Sequence, residues 1–478
     1  MESSCNPRLV AQTQPVEQAL YEVRKKIYPR AVHGGFAAWR WAFVVLTQLV
    51  FYGGPWLTWN GRQAVLFDLA ARKFYIFGLV FWPQDIVYLT VLLIICAYSL
   101  FLFTTVAGRL WCGFACPQTV YTEIFMWIER KVEGERPARM KLDQQPLLPR
   151  KFVLKTTKHA LWIALSLWTG FTFVGFFTPI HTLGNEVLSL GAGPWESFWM
   201  VFYGFATYGN AGWMREQVCK YMCPYARFQS VMFDPDTLVI TYDRERGEQR
   251  GSRTRSADYK SKGLGDCVDC SICVQVCPTG IDIRNGLQYE CIGCAACIDG
   301  CDQVMDKMGY PKGLIRYSTE NALKRHLPAQ GILKRILRPR VLIYSAILWT
   351  IIIAALVTLT QRVPLKVDVI RDRGNVMHDA DDDDIQNVYR LQIMNTQEIA
   401  RDMRISVSGL DGIEIWGASR PIRVAPASSL MVPVRVEAPR ASGSKGSNRI
   451  LFTVEATDPA HPDIAPLKVQ EKAAFVIP

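Results

Sequence analysis

Five stretches of this 478-residue chain are apolar over enough positions to cross a lipid bilayer as an α-helix, which takes about 20 residues. They are Trp39–Leu57, Ile86–Ala107, Ala160–Ile180, Val187–Tyr208 and Val341–Thr360. The fourth is the weakest, because it contains Pro194 and Glu196. A shorter apolar piece, Phe74–Trp82, cannot span, and we expect it to lie in the membrane interface or to re-enter the bilayer. The pattern predicts a multidomain membrane protein with five transmembrane helices.

Lysine and arginine gather on alternate sides of these stretches. Clusters precede the first stretch, separate the second from the third and precede the fifth, at residues 24–40, 130–158 and 324–340. The loop His181–Pro194 has no such residue, and Thr58–Asp85 has three. Because basic flanks stay in the cytoplasm, we expect a cytoplasmic N-terminus and an external C-terminus. Without the fourth helix, the basic segment 324–340 would fall on the wrong side.

Beyond the fifth stretch, the apolar period changes from helical to strand-like. Seven short runs rich in β-branched residues alternate with turn residues: Leu365–Ile370, Val388–Met394, Ile405–Val407, Ile413–Trp416, Met431–Val436, Ile450–Ala456 and Ala473–Ile477. Seven short strands in about a hundred residues are typical of an immunoglobulin-like (Ig-like) all-β sandwich. This part has no cysteine, so no disulfide joins its sheets. We expect the acidic run Asp379–Asp384 to be a solvated loop, with cation binding the less favoured alternative.

Composition agrees with a membrane location. Half of the residues are apolar, and the net charge is +11. A basic balance also occurs in nucleic-acid-binding proteins, but here the cations flank apolar stretches. We therefore expect the lipid bilayer, and no nucleic acid, as a partner. Met1–Tyr28 is polar and lacks the apolar centre of a cleavable signal peptide.

Two four-cysteine runs with identical spacing lie within 35 residues of each other: Cys267, Cys270, Cys273 and Cys277, then Cys291, Cys294, Cys297 and Cys301. In two-cluster ferredoxins, three cysteines of a run bind one [4Fe–4S] cluster and the fourth binds the other. This assigns Cys267, Cys270, Cys273 and Cys301 to one cluster, and Cys291, Cys294, Cys297 and Cys277 to its partner. Asp302 stands where a proline usually follows the last cysteine. Zinc sites and disulfides are the alternatives, but zinc usually takes paired C-x-x-C units with a longer gap.

The expected order along the chain follows from these patterns. It is a cytoplasmic tail, a four-helix membrane region, a solvated charged linker, a cytoplasmic two-cluster ferredoxin-like domain, a basic juxtamembrane segment, a fifth helix and an Ig-like domain. The corresponding ranges are 1–38, 39–240, 241–266, 267–310, 311–340, 341–360 and 361–478.

Two further cysteine pairs have the pattern C-x-x-x-C-P, and the predicted topology places both at the cytoplasmic membrane surface: Cys112 and Cys116, Cys219 and Cys223. Residues four apart share one face of an α-helix, so each pair offers two thiols to a common point. Soft thiolates suit Cu(I), paired thiols can cycle through a disulfide, and buried cysteines also serve as plain packing residues. Cys96, inside the second stretch, is expected to pack between helices.

Four long segments resemble the FixG/RdxA/CcoG proteins: KIYPRAVHGGFAAWRW, GRQAVLFDLAARKFYIFGLVFWPQD, RLWCGFACPQTVYTEIFMWIER and YMCPYARFQ. These are accessory factors for cbb-type cytochrome c oxidase. The resemblance implies a bacterial inner-membrane protein with a periplasmic Ig-like domain. It also implies a role in copper delivery to the oxidase, with cupric reductase activity. The residues that match the family's membrane-surface pairs, and so form the expected catalytic copper site, are Cys112, Cys116, Cys219 and Cys223.

Three functions remain open at this point. The first is a reductase whose two [4Fe–4S] clusters pass single electrons to Cu(II), giving Cu(I) for the oxidase copper centre. The second is an electron-transfer module that relays between quinol or a soluble donor and another membrane protein. The third is an assembly scaffold that binds oxidase subunits or copper-delivery proteins. The chain has no G-x-G-x-x-G nucleotide motif, and nothing in it names the electron donor.

Overall fold

The structure is a computed structural model that describes residues 26–328, 331, 335–372, 378–380, 384–418, 420–458 and 466–477. Most of the predicted N-terminal tail, residues 1–25, lies outside the described residues. So do the side chains of Asp379–Asp383, and with them the question of a cation at the acidic run.

The N-terminal two-thirds of the described chain is mainly helical. In chain order the helices α1 to α14 are Gly35–Gly53, Ile86–Ala107, Leu110–Phe114, Pro117–Glu133, Arg136–Gln144, Pro149–Val174, Ile180–Leu188, Pro194–Thr207, Pro224–Met232, Arg244–Gly247, Ile272–Gln275, Ala296–Met308, Glu320–Lys324 and Pro339–Thr360. Short 3₁₀ turns lie at Gly54–Trp56, Pro83–Asp85, Ile283–Asn285 and Arg440–Ser442, and two π-helices at Tyr208–Met214 and Val218–Met222.

Three helices of the described chain are long and apolar enough to cross a membrane, instead of the five predicted: Gly35–Trp56, Pro83–Ala107 and Pro339–Thr360. The third predicted span corresponds to α6, whose first three turns carry lysine and arginine side chains. The fourth corresponds to α8, which has 14 residues and continues into a π-helix. Length and hydropathy therefore do not confirm these two spans.

Helices α6 and α8 nevertheless pack closely, because glycines line their contact. A Cβ atom on Gly170 of α6 would lie 2.1 Å from the carbonyl oxygen of Met200 in α8. In return, a Cβ on Gly204 of α8 would lie 3.3 Å from the carbonyl oxygen of Ser166. Small residues that let two backbones approach are the usual basis of helix pairing within membranes.

The cysteine-run segment folds against a two-stranded antiparallel sheet, in which β6 (Val239–Tyr242) pairs with β7 (Ile315–Ser318). The expected solvated linker, 241–266, is exposed at positions such as Lys260 and Lys262, but some of its charged side chains are paired within the domain. Nε of Arg246 donates to the Asp266 carboxylate at 2.5 Å. The guanidinium of Arg253 contacts two tyrosine rings, those of Tyr259 and Tyr310.

The apolar piece Phe74–Trp82 forms part of a β-sheet, and its expected place in the membrane interface stays a prediction. Strands β3 (Val65–Asp68), β4 (Lys73–Ile76) and β5 (Leu79–Phe81) form this antiparallel sheet, and β1 (Thr58–Trp59) pairs with β2 (Arg62–Gln63) beside it. Val80 and Trp82 of this run are buried against Met394 of the C-terminal domain, whereas Phe77 and Leu79 are exposed. Contact with another domain therefore accounts for part of an apolar run that is too short to span.

The C-terminal part is an all-β sandwich. One sheet has the order β12 (Glu414–Trp416), β14 (Ser429–Pro439), β10 (Asp384–Asn395) and β8 (Leu365–Arg371), with β9 (His378–Ala380) also paired to β10. The other has the order β13 (Ile422–Val424), β11 (Arg401–Ser408), β15 (Gly446–Thr457) and β16 (Leu467–Ile477). Their facing side chains form one core, with Tyr389, Phe452 and Phe475 fully buried. All seven predicted strands are present, and the two short strands β9 and β13 are additional.

The sandwich and the cysteine-run domain lie at opposite ends of the helices. At one end, the Asp85 carboxylate before α2 pairs with Arg362 at 2.7 Å and also with Lys366, both beyond the end of α14. At the other end, Arg338 before α14 donates at 2.7 Å to the carbonyl of Thr105, near the end of α2.

Candidate iron–sulfur and thiol site

The eight cysteines of the two runs line two neighbouring cavities. The first cluster cavity is lined by Cys267, Cys270, Cys273 and Cys301, and the second by Cys277, Cys291, Cys294 and Cys297, with Cys273 between the two. This is the grouping that the spacing predicts, with the fourth cysteine of each run in the other run's cavity. Apolar side chains such as Ile281, Ile283 and Ile298 pack around the thiols.

Backbone conformation explains how each run wraps around its cavity. The residue that follows the second cysteine is left-handed in both loops, Ser271 with φ 55° and Ala295 with φ 59°. The residue two after the first cysteine is also left-handed, Asp269 with φ 50° and Gly293 with φ 70°. These repeated positive φ values turn successive cysteines toward one point.

The thiol chemistry of these cysteines fits a metal–sulfur group. Burial raises the pKa of Cys273 and Cys294 to about 11 and that of Cys291 and Cys301 to about 12. Such thiols are neutral at pH 7, and no two of them are joined in a disulfide. Metal binding supplies the positive charge that deprotonates a coordinating thiol, so iron–sulfur ligation accounts for this number of thiols gathered in an apolar core.

The loop of the second cluster cavity is docked on the membrane helices. A Cβ on Gly113 of α3 would lie 2.6 Å from the carbonyl oxygen of Gly293, so the helix and the loop touch through backbone. Nη1 of Arg40 in α1 donates to the carbonyl of Cys294 at 2.6 Å, and the hydroxyl of Tyr317 donates to that of Gly293 at 2.6 Å. The pattern of cysteines gives no signal for these contacts, because their partners lie far apart in the sequence.

A second anchor joins helix α12 of the cluster domain to the first membrane helix. The Asp299 carboxylate accepts hydrogen bonds from the backbone N–H of Ala37 at 2.7 Å and of Phe36 at 3.3 Å. These are first-turn N–H groups of α1, which have no partner within the helix. Gly34 lies against the same carboxylate and leaves no room for a side chain there.

The four cysteines of the C-x-x-x-C-P pairs come together beside this loop, and we call them the four-thiol group: Cys112, Cys116, Cys219 and Cys223. The prediction placed each pair at positions i and i+4 of one continuous α-helix, and the structure does not show this arrangement. Cys112 lies in α3 and Cys219 in a π-helix, whereas Cys116 and Cys223 cap the next helices, α4 and α9, in extended conformation. The following proline explains this, because it disfavours helical conformation in the residue before it and suits the first position of a helix.

Electrostatics shows how close the four thiols are. Burial, with a smaller contribution from the nearby Cys116 and Cys223, raises the pKa of Cys112 to about 11. Burial, with smaller contributions from the three other thiols, raises the pKa of Cys219 to about 12. Cys112 and Cys219 also pack against the apolar cluster that contains Cys294. The four-thiol group therefore lies next to the second cluster cavity.

The polar neighbour of this group, Gln229, has no signal in the cysteine pattern. The fully buried Gln229 of α9 accepts a hydrogen bond from Sγ of Cys112 at 3.4 Å and donates to Thr104 of α2 at 3.3 Å. Cys96 is exposed on α2, so it faces outward instead of packing between helices as predicted.

Among the described residues, no three His, Cys, Asp or Glu side chains are close enough to hold a single metal ion. This applies to the four-thiol group and equally to the eight run cysteines.

The fold and the site define a class of protein: a membrane-associated iron–sulfur protein with an Ig-like domain at its C-terminus. Three family models match the chain. They are a 4Fe-4S binding domain over residues 89–134, a 4Fe-4S dicluster domain over 214–320, and the IG-like fold at the C-terminal of FixG over 355–478. With the relatives described next, they show that the chain belongs to the FixG/RdxA family.

Three relatives align along most of the chain. Nitrogen fixation protein FixG of Rhizobium meliloti is 35% identical, covering 93% of this chain and 92% of the relative. Protein RdxB of Cereibacter sphaeroides is 40% identical, with 82% and 83% covered, and protein RdxA of the same organism is 36% identical, with 95% of each covered. A crystal structure of a FixG-related protein from Vibrio parahaemolyticus matches 24% of this chain and 95% of that chain, with 20% identity and a TM-score of 0.20.

Proposed function

We propose that this protein is a membrane-bound electron carrier that reduces Cu(II) to Cu(I) during assembly of cbb-type cytochrome c oxidase. In this proposal each cluster cavity holds one [4Fe–4S] cluster through its four cysteines, and the four-thiol group is the copper site. The observation that carries it is the packing of Cys112 and Cys219 against the cluster of side chains around Cys294. A group that accepts electrons must lie next to a group that donates them.

The chemistry of both partners supports a one-electron reaction. Iron–sulfur clusters pass single electrons, and reduction of Cu(II) to Cu(I) takes one. Thiolate sulfur is a soft ligand that favours Cu(I), so binding to Cys112, Cys116, Cys219 and Cys223 would stabilise the product. Burial raises the pKa values of Cys112, Cys116 and Cys219, which disfavours a disulfide cycle, because the thiolate is the form that attacks a disulfide. Because the thiols are not gathered around one point, copper binding would draw them together.

We also propose the five-helix topology, with the clusters on the cytoplasmic side and the sandwich in the periplasm of the inner membrane. The opposite placement of the two domains and the basic flanks support it. Alkaline phosphatase fused after residue 478 should then be active, and the same fusion after Gly265 inactive. In the periplasm, the sandwich would be available to oxidase subunits or copper-delivery proteins.

The test of the copper site is metal analysis of anaerobically purified protein. The intact protein should hold about eight iron atoms, two clusters of four, and should bind Cu(I). Replacing Cys112 and Cys219 with serine should leave the iron unchanged and abolish Cu(I) binding and Cu(II) reduction. Cys96→Ser is the matched control, because this thiol also lies in the helical region but far from the group.

A second function is favoured by one specific observation. The 4Fe-4S binding-domain match over residues 89–134 includes Cys112 and Cys116. The four-thiol group could accordingly hold a further cluster in a pure electron relay to another membrane protein. About twelve iron atoms per chain, falling to about eight in the double serine variant, would establish the relay and refute the copper site.

A further inference from the structure

A cavity of about 380 Å³ lies where α1, α4 and the loop of the second cluster cavity meet. Both Cys294 and Cys219 line it, so it adjoins the second cluster cavity and the four-thiol group at once. Its volume lies within the usual range for a small-molecule site. The reduction proposed above uses no group that belongs to this cavity alone.

A groove continues from this cavity along the outside of the first membrane helix. Trp41 and Trp127 line both spaces, with ring centroids 6.4 Å apart. From there the groove follows α1 to Gly53, which is about 18 Å at the rise of an α-helix. Its accessible lining is apolar and open to the side, and Leu49 within it is 67% exposed. Because α1 is a membrane-spanning helix by length and hydropathy, this side faces lipid.

The inner cavity offers a buried donor at its boundary with the cluster loop. Arg40 is only 7% exposed and lines the cavity. Its Nη1 is bonded to the carbonyl of Cys294, whereas its Nε has no hydrogen-bond partner among the described residues. A buried N–H without an acceptor is costly, and a ligand oxygen in the cavity would satisfy it.

We propose that the cavity and the groove together bind an isoprenoid quinol, the head group against Arg40 and the tail along α1. The lipid-facing groove suits the apolar tail of a quinol. The cavity, which Cys294 borders, suits its polar, redox-active head group. Oxidation of one quinol to quinone releases two electrons and two protons. Clusters held by the eight cysteines would supply acceptors for the two electrons, one each, and the carboxylate of Glu123, which lines the cavity, would pass the protons to water.

Quinone binding can be measured without copper, so its failure is distinguishable from failure of the reductase function. The holoprotein is placed in nanodiscs free of quinone, and ubiquinone-2 or menaquinone-2 is titrated and counted by native mass spectrometry. One quinone should bind per chain. Addition of the corresponding quinol should then produce the EPR signal of reduced clusters.

Two adjacent positions provide matched variants. Leu49 lines the groove, whereas Val50, 68% exposed on the same helix, does not. Leu49→Trp should weaken quinone binding at least tenfold, and Val50→Trp should leave it unchanged. Arg40→Gln should weaken binding of the head group, and Arg40→Lys should restore part of it.

Three results would overturn the proposal. One is no stoichiometric binding of either quinone. Another is equal weakening in Leu49→Trp and Val50→Trp, which would mean simple partition into the lipid around the helices. The third is a phospholipid that displaces the quinone completely, which would make the groove a lipid site.

Discussion

The contact between Asp299 and the first turn of α1 predicts how firmly the cluster domain is held to the membrane helices. Truncation by Asp299→Ala removes two hydrogen bonds to a buried carboxylate, at 2.7 and 3.3 Å. Loss of a side chain that caps a helix N-terminus costs about 0.5–2 kcal/mol. Loss of its charge at the positive end of the helix dipole adds about 0.3–1 kcal/mol. We therefore expect a destabilisation of roughly 1–3 kcal/mol.

Two neighbouring glycines test the same contact from the other side. A Cβ on Gly34 would lie 2.4 Å from Cγ of Asp299, whereas a Cβ on Gly35 would have nothing within 4 Å. Gly34→Ala should accordingly cost about 1–3 kcal/mol through overpacking. Gly35→Ala should be neutral, or stabilising by up to about 1 kcal/mol, because alanine is the better helix residue. Combining Gly34→Ala with Asp299→Ala should cost less than the sum, since the side chain that clashes is gone.

The assay is urea-induced loss of the visible absorption of the clusters in detergent-solubilised protein, with tryptic cleavage of the cluster domain as a second measure. Gly34→Ala and Asp299→Ala should lower the urea midpoint and speed cleavage. Equal midpoints for Gly34→Ala and Gly35→Ala would refute the reasoning, because only the methyl group added at Gly34 meets the Asp299 side chain.

Three further predictions concern the clusters, a buried ion pair and pH. Cys270→Ser and Cys294→Ser should each remove the EPR signal of one cluster and retain part of the other, so two full signals in either variant would contradict the cavity assignment. Glu129→Gln should lower stability to urea by about 3–5 kcal/mol, because the buried carboxylate pairs with Arg215 at 2.9 Å. Glu320→Gln, which removes an exposed pair with Lys324, should change stability by less than about 1 kcal/mol. The pKa values of Cys112 and Cys219 are raised to about 11 and about 12, so Cu(I) must displace their protons. Competition with a chelator should show that the affinity for Cu(I) rises about tenfold per pH unit for each proton released. An affinity for Cu(I) that does not depend on pH would exclude these thiols as ligands.

The features that sequence reasoning predicted well are those determined by local pattern. Alternation of apolar and polar residues locates seven of the nine described strands of the sandwich, and the cysteine spacing matches the grouping around two cavities. The two that it misses, β9 and β13, have three residues each, which is too few to show an alternating pattern, and β12, equally short, is located from its apolar run. Local pattern does not separate every apolar run by its surroundings, because a run such as Phe74–Trp82 has the same composition whether lipid or another domain covers it.

The remaining features depend on contacts between distant parts of the chain. The charged segment 241–266 is polar in composition, yet its side chains find partners that are not evident from composition, such as Tyr310 for Arg253. The cavity beside Arg40 exists because α1, α4 and the loop at Cys294 meet, and no single segment contains its pattern. The π-helix that carries Cys219 likewise follows from no recognisable sequence preference.

The arrangement of the cavities also explains the presence of two clusters. The cavity beside Arg40 and the four-thiol group both adjoin Cys294. The proposed electron donor and the proposed acceptor therefore lie next to the same cluster cavity. Among the described residues, the lining of the first cluster cavity shares no residue with the cavity beside Arg40 and includes none of the four thiols. A quinol gives up two electrons, whereas each Cu(II) accepts one. In this scheme a cluster held in the first cavity would supply a place for the second electron, which would let a two-electron donor serve a one-electron acceptor. A variant that lacks this cluster, such as Cys270→Ser, should therefore still reduce Cu(II) with a one-electron donor but lose most of its rate with quinol.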